Sequence, residues 1–112
     1  MATRNAALSN LELMVMLALI RLGDDAYGVP ICEELEAECG HDVAVGSVYA
    51  ALERLQDRGY VVSSVGDPTP ERGGRAKRNF KITGKGLKVV QETQRTLIRL
   101  WKGLPGLQGG GA

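Results

Sequence analysis

Apolar residues crowd the first third of the chain and then recur at regular intervals, and their spacing changes from one segment to the next. Ser9-Asn10-Leu11-Glu12 fits a capping box, in which the serine hydroxyl takes the amide three residues on and Glu12 reaches back. The helix it opens is expected to run to about Leu22 and to stop at Gly23. Its centre, Leu13–Ile20, is apolar on every face, whereas a surface helix of a small monomer carries a polar stripe. The pattern therefore predicts a second partner for this helix, most simply another subunit.

The next helix region begins at Asp24-Asp25, has Tyr27-Gly28 at its entry and carries Pro30 in its first turn, where proline is tolerated. Ile31 and Leu35, with Cys32 and Cys39, mark its buried side; Glu33, Glu34, Glu36 and Glu38 fill the other as a solvated acidic face. A third helix, Gly46–Arg58, keeps Val48, Leu52 and Leu55 on one side and ends at Gly59. Tyr60–Val65 reads as a strand, and Lys77–Ile82 is expected to pair with it. Between them lies a turn-rich loop, Gly66–Ala76, with two prolines and three glycines. Strand alternation puts Lys77, Asn79 and Lys81 on one face, with Arg78, Phe80 and Ile82 on the other. Thr83 can cap a last helix running from about Gly84 to Gly103, and the tail Pro105–Ala112 is expected to be disordered.

A short amphipathic helix followed by a basic hairpin is the layout of a winged helix-turn-helix. The predicted fold is mainly α with a small β-hairpin. Residues 8–83 form the winged-helix domain, 84–104 a C-terminal dimerisation helix and 105–112 the tail. In that last helix Leu87, Val90, Gln94, Leu97, Trp101 and Leu104 recur at heptad spacing, with Gln94 as a polar register-setter. With Leu17 on the over-apolar first helix, they predict a homodimer. Trp101 has two readings, an interface anchor or one wall of a pocket for an aromatic ligand between subunits.

At 112 residues the chain is one domain, and a net charge of +1 conceals a division. Residues 1–53 hold nine acids against Arg4 and Arg21, a balance of −7; residues 54–112 hold twelve lysines and arginines against four acids, a balance of +8. Clustered cations point to a polyanion partner for the second half, the plainer alternative being two solvated faces of opposite sign. Cys32 and Cys39 would stand about 10 Å apart on a helix, too far for a disulfide, and no zinc-ligand spacing accompanies His41. They read as core or half-buried thiols of a reducing cytoplasm. Leu13–Ile20 is too short to span a bilayer, and no signal-peptide cleavage pattern follows it. A cytoplasmic protein is expected, with no membrane partner.

The candidate chemistry is nucleic-acid recognition. On the third helix, small residues near the N-terminal end, Gly46 and Ala50 among them, let the backbone sit close to base edges. Ser47 and Tyr49 can donate to phosphates or bases, Arg54 to phosphate or guanine, and Glu53 can accept from cytosine or pair with Arg54. In the hairpin, Arg72, Arg75, Lys77 and Arg78 supply cations around Gly73-Gly74, a tip able to enter a narrow minor groove. The predicted contact set for double-stranded DNA is thus Ser47, Tyr49, Ala50, Arg54, Arg72, Arg75, Lys77 and Arg78. The bland alternative for the loop is a basic segment that only aids solubility. No nucleophile–base pair, metal set or phosphate loop supports an enzyme, and no cofactor is expected.

Leu11–Leu22, Tyr27-Gly28, Gly46–Leu55 (GSVYAALERL), Gly59-Tyr60-Val61, the wing Gly73–Arg78 and Ile82-Thr83 leading into Gly84–Gly86 resemble the PadR family of bacterial transcriptional regulators. The resemblance covers about residues 8–103. It implies a dimeric winged-helix repressor whose last helix packs across the twofold axis on the partner's first helix. It also implies a compact member, with a small aromatic effector able to release DNA from some relatives. The leading reading is a homodimeric repressor that binds a palindromic operator. Trp101 is the effector candidate by this resemblance. Two positions depart from the family pattern: Ala50 stands where many members have proline, and Asn79 and Phe80 stand where many have two aromatics. A winged-helix module that binds protein instead of DNA is the competing reading.

Overall fold

The computed structural model describes residues 7–40, 42–65 and 78–106. Helices α1 (Asn10–Leu22), α2 (Gly28–Cys39) and α3 (Val45–Asp57) are followed by strands β1 (Val61–Val65) and β2 (Arg78–Ile82) and by helix α4 (Gly84–Trp101). A 3₁₀ turn, Gly23–Asp25, links α1 to α2.

The capping box closes as the sequence predicts: the Glu12 amide donates to Ser9 Oγ (3.1 Å) and the Ser9 amide to Glu12 Oε1 (2.9 Å). Gly23, at φ 60°, ends α1. At the end of α3, Gly59 (φ 81°) donates to the Gln56 carbonyl and Tyr60 to the Leu55 carbonyl, the paired bonds of a Schellman motif. Those bonds hold Tyr60 in the turn, so β1 starts at Val61, one residue later than expected. The start of α3 moves the other way, from Gly46 to Val45, because Ala44 takes the N-cap position. Thr83 caps α4 by accepting from the Gly86 amide at 3.0 Å, and α4 ends at Trp101, two residues short of Gly103.

The strands pair antiparallel, with Val61 opposite Ile82 and Val65 opposite Arg78. A feature absent from the sequence reading widens this hairpin: Tyr27 forms a single β-bridge to Asn79, and the Phe80 amide donates to the Ala26 carbonyl at 2.8 Å. The segment entering α2 thus fixes the root of the wing.

The core gathers Val15, Met16, Ala18, Leu19, Ile31, Leu35, Val48, Leu52, Leu55, Val61 and Phe80, with Val90 its contribution from α4. Helix α1 is covered by α2, α3, β2 and part of α4. Its all-round apolar character is therefore met largely within the chain, and only Leu17 and Ile20 of its large apolar residues remain exposed. Cys32 and Cys39 are free and half-buried. Among the described residues no helix is long and apolar enough to cross a membrane. The described part of the tail ends in a turn at residues 105–106, and 107–112 lie outside the described residues.

Candidate nucleic-acid interface

Helix α3 is held on three sides and open on the fourth. Val48, Ala51, Leu52 and Leu55 are buried, while Gly46, Ser47, Ala50, Glu53 and Asp57 are exposed. Ser47 and Ala50 thus stand on the open side.

Tyr49 is half-buried on the flank toward the hairpin. Its ring meets Phe80 edge-on at 6.2 Å, and its hydroxyl lies against Gly28. A Cβ on Gly28 would overlap that hydroxyl and come within 2.8 Å of the ring carbon bearing it. The Tyr27-Gly28 pair at the mouth of α2 therefore has a mechanical reason: residue 28 must lack a side chain for Tyr49 to lie there.

Arg54 lies on the opposite flank. Its Nε donates to Glu12 Oε2 at 2.7 Å, and Arg58 Nη1 donates to Glu12 Oε1 at 3.4 Å. Of the partners considered for Arg54, it is thus α1, not the adjacent Glu53, that holds it. Glu12 is 5% exposed and is the only buried charged residue among those described. Burial works to raise its pKa, but the Arg54 hydrogen bond, the Ser9 amide and the two guanidinium charges outweigh burial and hold it below the usual carboxylate range. Arg54 keeps about half its side chain in solvent. The linkage of Glu12 to Arg54 and Arg58 spans more than forty residues, and no local pattern announces it.

At the wing, Arg78 is exposed at the root of β2. Its Nη2 donates to Gln56 Oε1 at 3.1 Å and its Nε to Ser63 Oγ at 3.4 Å, and the guanidinium carbon stands 5.1 Å from the Phe80 ring centre. Gln56, unnoticed in the sequence, thus ties α3 to the wing. Arg72, Arg75 and Lys77 lie outside the described residues. Behind the wing, Lys85 Nζ donates to the Arg58 carbonyl at 3.0 Å, and Lys85 and Arg58 both lie over the Tyr60 ring. Lys81 stands 3.7 Å from Asp24.

The predicted seam of α4 divides. Val90 turns into the core and Leu97 is half-buried, whereas Leu87, Gln94, Trp101 and Leu104 are exposed, as is Leu17 on α1. Leu13, Leu17, Val90, Gln94, Leu97, Ile98 and Trp101 line a mostly apolar open cavity of about 290 Å³ between α1 and α4. Among the described residues no group of three or more histidine, cysteine or acidic side chains could hold a metal ion.

A three-helix unit with a hairpin wing, an open small-residue face on its third helix and an arginine at the wing root is the form of a DNA-binding regulator. The model of the transcriptional regulator PadR-like family matches residues 16–92. The chain belongs to that family. PadR-like proteins regulate transcription through a DNA-binding winged helix and are not enzymes. Among solved structures, a PadR-like transcription factor from Bacteroides fragilis is 27% identical, covering 80% of this chain and 82% of its own at a TM-score of 0.67. A PadR family transcriptional regulator from Eggerthella lenta is 26% identical, covering 78% and 73%, at a TM-score of 0.63. RosR of H. salinarum, 23% identical over 87% of this chain and 80% of its own, shares the fold at a TM-score of 0.66. No curated protein matches the chain.

Proposed function

We propose that this PadR-like regulator is a homodimeric cytoplasmic repressor that binds a palindromic operator and is released from it by a small aromatic compound. The observation that carries the DNA-binding geometry is the open face of α3, with Ser47 and Ala50 exposed and Arg78 bonded to Gln56 beside it. The N-terminal half of α3 enters the major groove, Arg54 offers its outer nitrogens to phosphate or base, and Arg72, Arg75, Lys77 and Arg78 take phosphates or the adjacent minor groove. Tyr49, wedged against Gly28, supports the helix and contacts DNA only through its exposed edge.

The dimer reading is supported by the exposed apolar residues Leu17, Ile98, Leu100, Trp101 and Leu104, which a lone chain leaves in water. In this reading residues 8–83 are the DNA-binding domain and 84–104 the dimerising helix. The cavity beside Trp101 supports an effector site, since its lining is apolar with Gln94 as a polar group. Repression is favoured by the family resemblance.

The test is gel-shift binding to the promoter DNA immediately upstream of this protein's own gene, at two salt concentrations and against random competitor. About four phosphates neutralised per subunit give a log–log salt slope of about −7 for a dimer. Neutralising Arg75, Lys77 and Arg78 together is expected to abolish DNA binding and leave dimerisation intact. Binding that persists unchanged refutes the wing assignment; binding no tighter than to random DNA, at this and at genome-selected sites, favours a protein partner.

A further inference from the structure

The first two turns of α3, Val45–Leu52, read VGSVYAAL and contain no arginine, lysine, asparagine or glutamine. Those are the side chains that make bidentate contacts to guanine and adenine. Tyr49 is half-buried against Gly28 and Phe80, which leaves Ser47 as the exposed polar side chain on these turns. Further along the open face, Glu53 and Asp57 are acidic and are repelled by phosphates, so the helix must meet DNA end-on, through its beginning.

At that beginning stands an apolar side chain that the fold leaves in solvent. Val45 is the first residue of α3 and is 55% exposed, although α3 packs elsewhere on α1, α2 and β1. Helical Cβ bonds tilt toward the N-terminus, so the isopropyl group of Val45 projects ahead of the helix and not back over its core. Ala44 before it and Gly46 and Ala50 after it are exposed and small, and none blocks its approach to a surface. The major groove offers one apolar group to such a side chain, the 5-methyl of thymine.

Resting on the DNA-binding orientation above, we propose that Val45 is a specificity-determining residue that reads a thymine methyl group, with Ala50 contributing a second methyl in the next turn. Operator choice by this helix is then a matter of methyl contact and of the Ser47 hydroxyl, with few hydrogen bonds to base edges.

The experiment selects binding sites for the intact protein from a random-sequence DNA duplex library, then replaces each thymine of the selected site by deoxyuridine, which removes only the methyl. Loss of one buried methyl is worth about fourfold in affinity. At least one thymine per half-site is expected to show that loss with wild-type protein. With Val45→Ala, alanine being a better helix former than valine, the same replacement at the thymine that Val45 reads is expected to cost less than about twofold. Two results overturn the proposal: no thymine sensitive to methyl removal, or a penalty that is the same with Val45→Ala at every sensitive thymine. Failure to select any sequence would instead overturn the operator reading and this proposal with it.

Discussion

Glu12 offers the most direct check on how α3 is held. Its carboxylate is buried and receives three donors, from the Ser9 amide, Arg54 Nε and Arg58 Nη1. Both arginines keep part of their side chains in solvent, so removing Glu12 does not strand a buried cation, and the 3–5 kcal/mol typical of breaking a fully buried pair does not apply. Glu12→Ala removes two charge-assisted bonds and half of the capping box, for an expected loss of about 2–3 kcal/mol. Glu12→Gln keeps an acceptor for Ser9 and one neutral bond to arginine, for about 1–2 kcal/mol. Urea unfolding at fixed protein concentration measures both, the fixed concentration holding any contribution from self-association constant. A cycle with Arg54→Ala should return a coupling of about 1 kcal/mol or more. The pH dependence has a definite sign. A carboxyl whose folded pKa is lowered stabilises the fold above its unfolded value of about 4.3 and loses that contribution as pH falls through the folded value. The gap between wild type and Glu12→Gln should therefore be constant from pH 7 to 5 and narrow below about pH 4. A gap under about 0.5 kcal/mol at neutral pH, or one that persists unchanged in acid, refutes the clamp.

Other consequences follow from close contacts and from burial. Gly28→Ala puts a methyl into the Tyr49 hydroxyl and is expected to cost about 1–3 kcal/mol, partly recovered by Tyr49→Phe; equal stability of the single and double variants would refute the contact. Gly86→Ala meets the Tyr60 backbone carbonyl and, at 2.8 Å, Ile82 Cγ1; backbone cannot step aside as a side chain can, so thermal unfolding should show a loss of about 2–3 kcal/mol or more. Burial, and then the charges of Glu36 and Glu33, push the Cys32 thiol up, so mass spectrometry should find it alkylated by iodoacetamide well below the rate of an unhindered thiol at pH 8.

Local chemistry made much of this fold readable. The capping box, the glycine stops at Gly23 and Gly59, and the β1–β2 pairing each depend on neighbours within a few positions or on a strict period of two. Contacts between distant segments left no such trace. The bridge from Tyr27 to Asn79 is a single residue pair, too short to impose a period, yet Asn79 is half-buried while Lys81, on the same face by alternation, is exposed. Tyr49 has the type of a DNA donor, and only the approach of Gly28, 21 positions away, shows that it also packs inside the chain. The α4 heptad marks apolar positions correctly but not their destinations, since Val90 belongs to the chain's own core while Leu87 and Trp101 face outward. The same holds for α1, whose surplus of apolar residues α2, α3, β2 and α4 mostly absorb.

Helix α1 touches both ends of the proposed mechanism. Glu12, in its first turn, grips α3 through Arg54 and Arg58, and the next residue, Leu13, lines the cavity beside Trp101 together with Leu17. A compound in that cavity that moves α1 must either carry α3 with it or break the Glu12 bonds, because a short helix transmits displacement as a rigid body. Coupling of this kind is reciprocal: a compound that weakens DNA binding by some factor is itself bound more weakly, by the same factor, when DNA is present. For any aromatic compound found to release DNA, that factor can be measured by titrating Trp101 fluorescence with and without operator. Glu12→Gln should reduce it, because the grip that carries the displacement is loosened, while direct binding of the compound to free protein changes little. An unchanged factor in a folded Glu12→Gln variant would mean that the signal reaches α3 by another route, most simply by a change in the spacing of the subunits of the proposed dimer.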